Sequence, residues 1–134
     1  MLLYTTIGTN DLARAVAFWN PLMQALGHAR IEDYYEGWAA WGKDYDHGFG
    51  FFICPPFDGQ AASPGNGGTF AFAARDAAHV RTLHALALAN GGTDAGPPGT
   101  RPYYTPDFYV AYARDPDGHK LAFVFHHYDP AQDR

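Results

Sequence analysis

An internal repeat indicates the fold of this chain. Residues 4–27 read YTTIGTNDLARAVAFWNPLMQALG and residues 69–92 read TFAFAARDAAHVRTLHALALANGG, which align at a constant offset of 65. Each segment has a short strand-like run, an aspartate, a helix-like stretch and a closing glycine. A second pair, AWGKDYD at 40–46 and AYARDPD at 111–117, aligns at an offset of 71. This matching order of elements predicts two copies of one structural unit.

One amphipathic helix is predicted in each copy. Asn10 or Asp11 can cap the first helix, and Pro21 inside it predicts a bend or a restart. The second helix is predicted from about 76 to 90, where two glycines end it. Apolar residues at steps of three or four define the buried stripes. They are Leu12, Val16, Trp19, Met23 and Leu26 in the first helix, and Val80, Leu83 and Ala87 in the second.

Strands are predicted after each helix, separated by turn-forming DYDHG and DPDG sequences. The predicted ranges are 38–42, 49–54, 107–113 and 119–127. Side-chain alternation divides each strand between a helix face and an opposite face. The helix face receives the larger apolar residues: Ile7, Phe70, Phe72, Leu121, Phe123 and Phe125. The opposite face receives a smaller or more polar set: Tyr4, Thr6, Thr69, Ala71, Ala122, Val124 and His126.

Length and charge limit the possible classes of protein. The chain has 134 residues, which fits about one domain, and a net charge of −5 with no cluster of Lys and Arg. We therefore expect no nucleic-acid partner, because such binding needs many cationic contacts to phosphates. The N-terminus lacks a signal-peptide pattern and no run of 18 apolar residues occurs, so we expect no membrane partner and a cytoplasmic protein. The single Cys54 excludes a disulfide framework and a four-thiolate zinc site.

Three segments together resemble the vicinal oxygen chelate superfamily, which includes glyoxalase I, bleomycin-resistance proteins and extradiol dioxygenases. They are TNDLARAVAFW at 9–19, TFAFAARDAAHV at 69–80 and AYARDPDGHKLAFVFH at 111–126. The resemblance implies an α+β fold in which two βαβββ repeats form a half-open, eight-stranded, barrel-like sheet around one cleft, commonly completed in a homodimer. The expected organisation within 1–134 is a first repeat at 1–54, a linker at 55–68 and a second repeat at 69–128.

Family enzymes usually hold a divalent metal with His, Gln or Glu at four strand positions. The resemblance places those positions on Tyr4, Phe52, Thr69 and Ala122, none of which is a usual ligand for such a cation. We therefore expect no metal and no other cofactor. Adjacent His126 and His127 should point to opposite faces of a strand, which defeats simple chelation. The side chain of His126 remains a candidate general base on the cleft face, beside the simpler interpretation of a solvated strand-end histidine.

The segment TDAGPPGTRPYYTPDFY at 93–109 is interpreted as a binding loop because it keeps Arg and several Tyr side chains. Equally, Tyr103 and Tyr104 could cover the edge of the domain or a dimer interface. Arg101 could clamp a carboxylate or phosphate, or form a salt bridge to Asp107. The cleft or substrate-binding residues expected from the resemblance and the pattern are Tyr4, Thr6, Phe52, Thr69, Arg101, Tyr104, Tyr109, Ala122 and His126.

Two tryptophans and the cysteine complete the candidates. Trp38 and Trp41 should face opposite sides of a regular strand, so at most one can face a ligand. Cys54 has no visible neighbouring base and is interpreted as a buried structural thiol.

Three functional hypotheses follow. The first is a metal-free protein that binds a small apolar or aromatic molecule. The second is a glyoxalase-like lyase or dioxygenase that uses a non-standard metal site or acid/base groups such as Tyr109 or His126. The third is an accessory module that binds another protein.

Overall fold

A computed structural model describes residues 2–42, 48 and 50–134 of the chain. The chain forms two compact units, Met1–Pro64 and Gly65–Arg134. Each unit contains one α-helix and a mixed β-sheet, so the fold is α+β, as predicted. Among the described residues, no helix is long and apolar enough to cross a membrane.

The first unit is a three-stranded sheet with one helix. Its elements are β1 (Tyr4–Gly8), α1 (Leu12–Ala25), β2 (Ala39–Gly42) and β3 (Gly50–Cys54). The strand order is β1-β3-β2, with β1 parallel and β2 antiparallel to β3. The helix between β1 and the two later strands serves as the crossover that allows β1 and β3 to run parallel.

Helix α1 begins at a capping aspartate and packs on one face of this sheet. The Asp11 carboxylate accepts a hydrogen bond from the Arg14 N–H at 3.0 Å, which satisfies one of the free donors of the first turn. The Trp19 ring packs against Phe51 with centroids 4.6 Å apart, and the Trp41 indole donates to the Asn20 side-chain oxygen at 3.1 Å. These contacts make the helix face of the first unit strongly aromatic.

The predicted restart of α1 at Pro21 is wrong, because the helix runs continuously through it. Proline removes one backbone donor, but burial of its neighbours offsets that loss. The predicted stripe is also shifted in part: Trp19 and Met23 are buried, whereas Leu12, Val16 and Leu26 are only half-buried. Their place in the core is taken by Ala15, Phe18 and Leu22.

The second unit is a four-stranded sheet with one helix. Its elements are β4 (Phe70–Ala73), α2 (Ala77–Ala89), β5 (Thr93–Thr100), β6 (Tyr109–Arg114) and β7 (Lys120–Phe125), followed by a short 3-10 helix at Pro130–Gln132. The strand order is β4-β7-β6-β5; β4 is parallel to β7, and the other pairs are antiparallel. The predicted buried residues of α2, Val80, Leu83 and Ala87, are completely buried.

The DPDG sequence makes the tight turn between β6 and β7. The Asp115 carboxylate accepts hydrogen bonds from the backbone N–H groups of Asp117 and His119, and Gly118 adopts a φ of 90°. Glycine suits this position because side chains with a Cβ rarely adopt a positive φ. The turn fixes the register in which Tyr112 lies opposite Ala122.

Two expectations about strands differ from the structure. Residues 93–100 form β5, where a loop was expected, because its backbone pairs with β6 across two register shifts despite the Pro and Gly residues. In the first unit, the segment equivalent to β5 is reduced to an isolated bridge between Arg30 and Trp41, so the described residues form seven strands and not eight. The turn predicted at 44–48 and Phe49 of the predicted strand lie outside the described residues, except for Gly48.

Candidate functional site

The sheet of the first unit has an open face on the side away from α1. Thr6 pairs with Phe52, and Phe52 pairs with Ala40, so these residues share one face. Tyr4 lies two residues before Thr6 on the same face, and its ring meets Phe52 edge-on at 5.7 Å. The structure therefore brings together the three predicted site residues of the first repeat.

A cluster of aromatic rings covers Phe52 on this open face. Its ring centroid lies 5.7 Å from Tyr4, 5.1 Å from Tyr34 and 6.2 Å from Trp38. Phe52 is only 4% exposed as a result. Its ring also leans over Gly50, where an added Cβ would meet the Phe52 ring at 2.8 Å. The Phe52 cluster, defined as these four aromatic residues, is thus tightly packed around a small residue.

The two tryptophans of this region face opposite sides, which confirms that prediction. Trp41 is fully buried on the α1 side, where it packs against Phe51. Trp38 is half-buried and packs against Phe52 and Tyr34 on the open face. Only Trp38 can therefore meet a ligand on the open face.

A cavity of about 670 Å³ lies beside the Phe52 cluster, entirely within the first unit. Its lining comes from the ends of β1 and β3, from residues 36–38 and from the segment 55–63. The lining residues are Thr6, Ile7, Gly8, Glu36, Gly37, Trp38, Cys54, Pro55, Pro56, Phe57, Asp58, Ala61, Ala62 and Ser63. A volume of this size falls within the range of small-molecule sites.

Two hydrogen bonds hold the segment 55–63 over the sheet. The Ala62 N–H donates to the Asn10 side-chain oxygen at 2.7 Å, and the Asn10 amide donates back to the Ala62 carbonyl at 3.0 Å. The Asp58 carboxylate accepts from the Gln60 N–H at 3.0 Å, which stabilises the turn in the middle of the segment. The cavity wall is thereby fixed to the residue just before the α1 cap.

Cys54 lies in the cavity wall and is nearly buried. Burial raises the pKa of its thiol, so the neutral form is favoured at neutral pH. This environment agrees with the interpretation of Cys54 as a structural thiol. Because Cys54 is the only cysteine of the chain and lines the cavity, its reaction with a thiol reagent reports whether the cavity is occupied.

The sheet of the second unit also has an open face away from α2. Ala71 and Tyr112 both pair with Ala122, so the face is lined largely by small residues around one ring. Thr69 is exposed and lies just before β4, which begins at Phe70. Ala71 and Ala122 of the predicted small and polar set lie on this face, and Tyr112 is an addition to that set.

Two cations lie over the Tyr112 ring. The Arg101 guanidinium carbon is 5.7 Å from its centroid, and the Lys120 ammonium nitrogen is 4.8 Å from it. Both distances fit cation–π attraction. Burial raises the pKa of the Tyr112 hydroxyl, with the neighbouring Tyr104 adding to the shift. The hydroxyl therefore stays protonated under ordinary conditions.

Arg101 makes its hydrogen bonds to nearby backbone carbonyls. Its guanidinium donates to the backbone carbonyls of Pro97 at 2.8 Å and Thr100 at 3.3 Å. The Asp107 carboxylate accepts a hydrogen bond from the Thr105 hydroxyl at 2.8 Å, and this bond lowers the Asp107 pKa. Arg101 thus stabilises the end of β5, and its hydrogen bonds go to backbone carbonyls and not to Asp107, one of the two alternatives considered for it. Tyr104 is 59% exposed beside it.

Tyr109 does not lie on the open face, contrary to prediction. It pairs with Phe125 on the helix side of the sheet, is nearly buried, and accepts a hydrogen bond from Arg81 of α2 at 3.0 Å. Because Tyr112 lies on the open face, strict alternation along β6 turns Tyr109 toward the helix side. The register of the strand therefore decides this orientation.

His126 is exposed, and it lies just past β7, which ends at Phe125. Its ring lies 4.1 Å from that of His127. The expectation that the two rings point to opposite faces is therefore wrong, because the strand ends before them and alternation no longer applies.

The four positions that the resemblance assigns to the family metal offer little to a cation. Phe52 is enclosed by three aromatic rings, and Ala122 is a buried methyl group. Tyr4 and Thr69 are exposed neutral hydroxyls, which bind divalent cations weakly. Among the described residues, no three His, Cys, Asp or Glu side chains form a group suited to hold a metal. The residues at these positions do not fit the family metal.

Sequence reasoning missed several site residues. Tyr112 could have been found by extending the alternation from Ala122 across the β6–β7 turn. Tyr34, Glu36 and the segment 55–63 gave no such signal, because their positions depend on contacts across the unit and not on periodicity.

Comparisons with known proteins agree with this architecture. Residues 2–123 match the family model of the Glyoxalase/Bleomycin resistance protein/Dioxygenase superfamily. The crystal structure of a glyoxalase/bleomycin resistance protein from Albidiferax ferrireducens T118 is 34% identical to this chain, with a TM-score of 0.80. The match covers 92% of this chain and 97% of that chain. No curated protein matches the chain.

More distant structures share the fold alone. A glyoxalase-related enzyme from Fulvimarina pelagi is 22% identical, with a TM-score of 0.73, covering 93% of this chain and 87% of that one. A lactoylglutathione lyase from Agrobacterium tumefaciens is 19% identical, with a TM-score of 0.63 and 92% of both chains covered.

Proposed function

The chain belongs to the Glyoxalase/Bleomycin resistance protein/Dioxygenase superfamily, and we propose that it binds a small apolar or aromatic molecule without using the family metal. The observation that carries this proposal is the cavity of about 670 Å³ on the open face of the first unit. It includes Thr6, one of the residues expected to contact a ligand from the sequence.

The lining of the cavity favours a flat, largely apolar ligand. Trp38 and Phe57 offer aromatic surface, and the prolines and alanines of the segment 55–63 offer aliphatic surface. Thr6 and Ser63 add hydroxyl groups that can orient a polar substituent. Sites with mostly apolar walls and a few polar groups are typical of small-molecule binding.

The chemistry at the four family positions supports a metal-free mode of binding. A divalent metal supplies a Lewis acid to enzymes of this kind, and it requires strong donor atoms. Tyr4, Phe52, Thr69 and Ala122 provide two neutral hydroxyls and two side chains without donor atoms. The aromatic packing around Phe52 fills that position with carbon instead.

Protection of Cys54 from alkylation tests the proposed binding. We expect neutral two- and three-ring aromatic compounds to slow the reaction of Cys54 with N-ethylmaleimide, because the thiol lies in the cavity wall. Ser63→Trp should abolish this protection by filling the cavity. Gln60→Trp is a matched control, since Gln60 lies in the same segment but does not line the cavity.

Several results would overturn the proposal. Protection that survives Ser63→Trp, or no protection by any compound of the panel, would remove the cavity as the binding site. Tight one-to-one binding of Zn²⁺, Ni²⁺ or Mn²⁺ in calorimetry would contradict the metal-free part. Metal-dependent turnover of a hemithioacetal or a catechol would favour the lyase or dioxygenase alternative.

A further inference from the structure

We propose that the ligand of this cavity is an organic cation, such as an aromatic amine, whose positive charge lies at the cavity mouth. This inference rests on the proposed function and adds the charge of the ligand to it. It is carried by the distribution of charged and aromatic groups among the lining residues.

The charged groups of the cavity have one sign. Glu36 and Asp58 line it, and no Lys, Arg or His is found among the described residues that do so. Both carboxylates belong to exposed residues, so they lie where a ligand can keep its charged end near water. One Asp58 oxygen accepts from the Gln60 N–H, which fixes the orientation of this carboxylate. An anion would meet repulsion from both groups, whereas a cation would be attracted.

Aromatic faces provide a second attraction for a cation. Phe57 is fully exposed in the segment 55–63, and Trp38 is half-buried on the opposite wall. A cation within about 6 Å of an aromatic face gains electrostatic attraction from the ring. Because Phe57 is exposed and lines the cavity, its ring is accessible to a ligand there.

The charge of the whole chain acts in the same direction. The net charge of −5 attracts cations over a range limited by salt. The cationic side chains of Arg101 and Lys120 belong to the second unit and face Tyr112 instead. The two carboxylates of the lining therefore attract a cation locally, in addition to the attraction from the net charge of the chain.

Three ligands with the same ring skeleton test the sign of the preferred charge. At neutral pH, 9-aminoacridine is a cation, acridine is neutral and acridine-9-carboxylate is an anion. We expect 9-aminoacridine to bind about tenfold more tightly than acridine, and the anion to bind least, because two carboxylates and aromatic faces each contribute modestly. Binding is measured by protection of Cys54 and by calorimetry. The preference should shrink as the salt concentration rises.

Charge-neutralising variants locate the source of the preference. Glu36→Gln and Asp58→Asn should each weaken binding of 9-aminoacridine by about threefold, and the double variant by about tenfold. Binding of neutral acridine should weaken much less than binding of 9-aminoacridine. Glu32→Gln is the matched control, because it removes the same charge from the same loop but Glu32 does not line this cavity.

The outcomes separate this inference from the proposed function. If acridine and 9-aminoacridine protect Cys54 equally, the cavity binds aromatic molecules and the charge preference is wrong. If Glu32→Gln weakens cation binding as much as Glu36→Gln, the effect comes from net charge and the assignment to the lining fails. If none of the three compounds protects Cys54 while Ser63→Trp folds normally, both proposals fail.

Discussion

The open faces of the two units carry different chemistry on the same scaffold. In the first unit, a cavity beside the Phe52 cluster is lined by Trp38, by the segment 55–63 and by the exposed acidic residues Glu36 and Asp58. In the second unit, the face around Ala122 is lined by small residues, and its main ring, Tyr112, has two cations at 5.7 and 4.8 Å from its centroid. Phe52 and Ala122 occupy matching positions, four residues after a glycine in each repeat.

This difference shows which parts of a repeat are constrained. The helix faces keep large apolar residues in both units, since they must fill a core at close packing. The open faces have no such requirement, and their residues can diverge toward different ligands or partners. A site in such a protein is therefore better sought by comparing the open faces than by comparing the helices.

The largest expected effect concerns the small residue beneath Phe52. Gly50→Ala should lower the free energy of unfolding by about 1–3 kcal/mol, the usual cost of overpacking a filled region. The new methyl group would lie 2.8 Å from the Phe52 ring, which three aromatic neighbours prevent from moving freely. Urea unfolding measures this loss.

Gly65→Ala is the matched control for that substitution. A Cβ added at Gly65 would have no heavy atom within 4 Å, so this position should tolerate alanine without loss. If Gly50→Ala were as stable as the parent chain, the Phe52 cluster would be loosely packed. The two open faces would then differ less in packing than their residues indicate.

A smaller effect is expected on the open face of the second unit. Lys120→Met keeps most of the side-chain stem and removes the charge over Tyr112, so it should cost about 0.5–1 kcal/mol of unfolding free energy. The same substitution in a Tyr112→Leu background should cost almost nothing. An unchanged cost in that background would assign the loss to packing of the stem and not to cation–π attraction.

The smallest expected effect is a change in how the free energy of unfolding depends on pH. Asp133 forms an ion pair with Arg81 of α2 at 2.8 Å, and this hydrogen bond lowers the Asp133 pKa. A lowered folded-state pKa gives stability that is present above the unfolded value of about 3.9 and is lost as pH falls through the folded value. Asp133→Asn should therefore flatten the acid limb of a stability–pH curve.

Removing the partner of Asp133 controls for other acidic groups. In an Arg81→Met background, Asp133→Asn should leave the acid limb unchanged, since the ion pair is already absent. A further flattening there would mean that another contact, such as the Tyr128 hydroxyl hydrogen bond at 3.1 Å, lowers the Asp133 pKa.

Local sequence patterns correctly predicted those features of the fold that depend on one short-range interaction. Asp11, one of the two residues expected to cap the first helix, does so, because a cap depends on residues three positions apart; Asp76 caps the second helix in the same way. The position of Tyr109 was predicted wrongly, since its face depends on the register of β6 against β7. The strand at 93–100 was missed because pairing with β6 overrides its Pro- and Gly-rich composition.

The sequence by itself determined the repeated order of elements and the cap of the first helix, because these follow from residue identity and short-range periodicity. It also showed that Tyr4, Phe52, Thr69 and Ala122, the positions that the resemblance assigns to the family metal, lack strong donors. Tertiary structure decided that the open face of the first unit has a cavity. Trp38, Asp58 and Ala62 are distant from Thr6 in sequence but line the same cavity, and the Asn10–Ala62 hydrogen bonds hold the segment 55–63 in its wall. Contacts between residues so far apart leave no periodic trace in a single sequence.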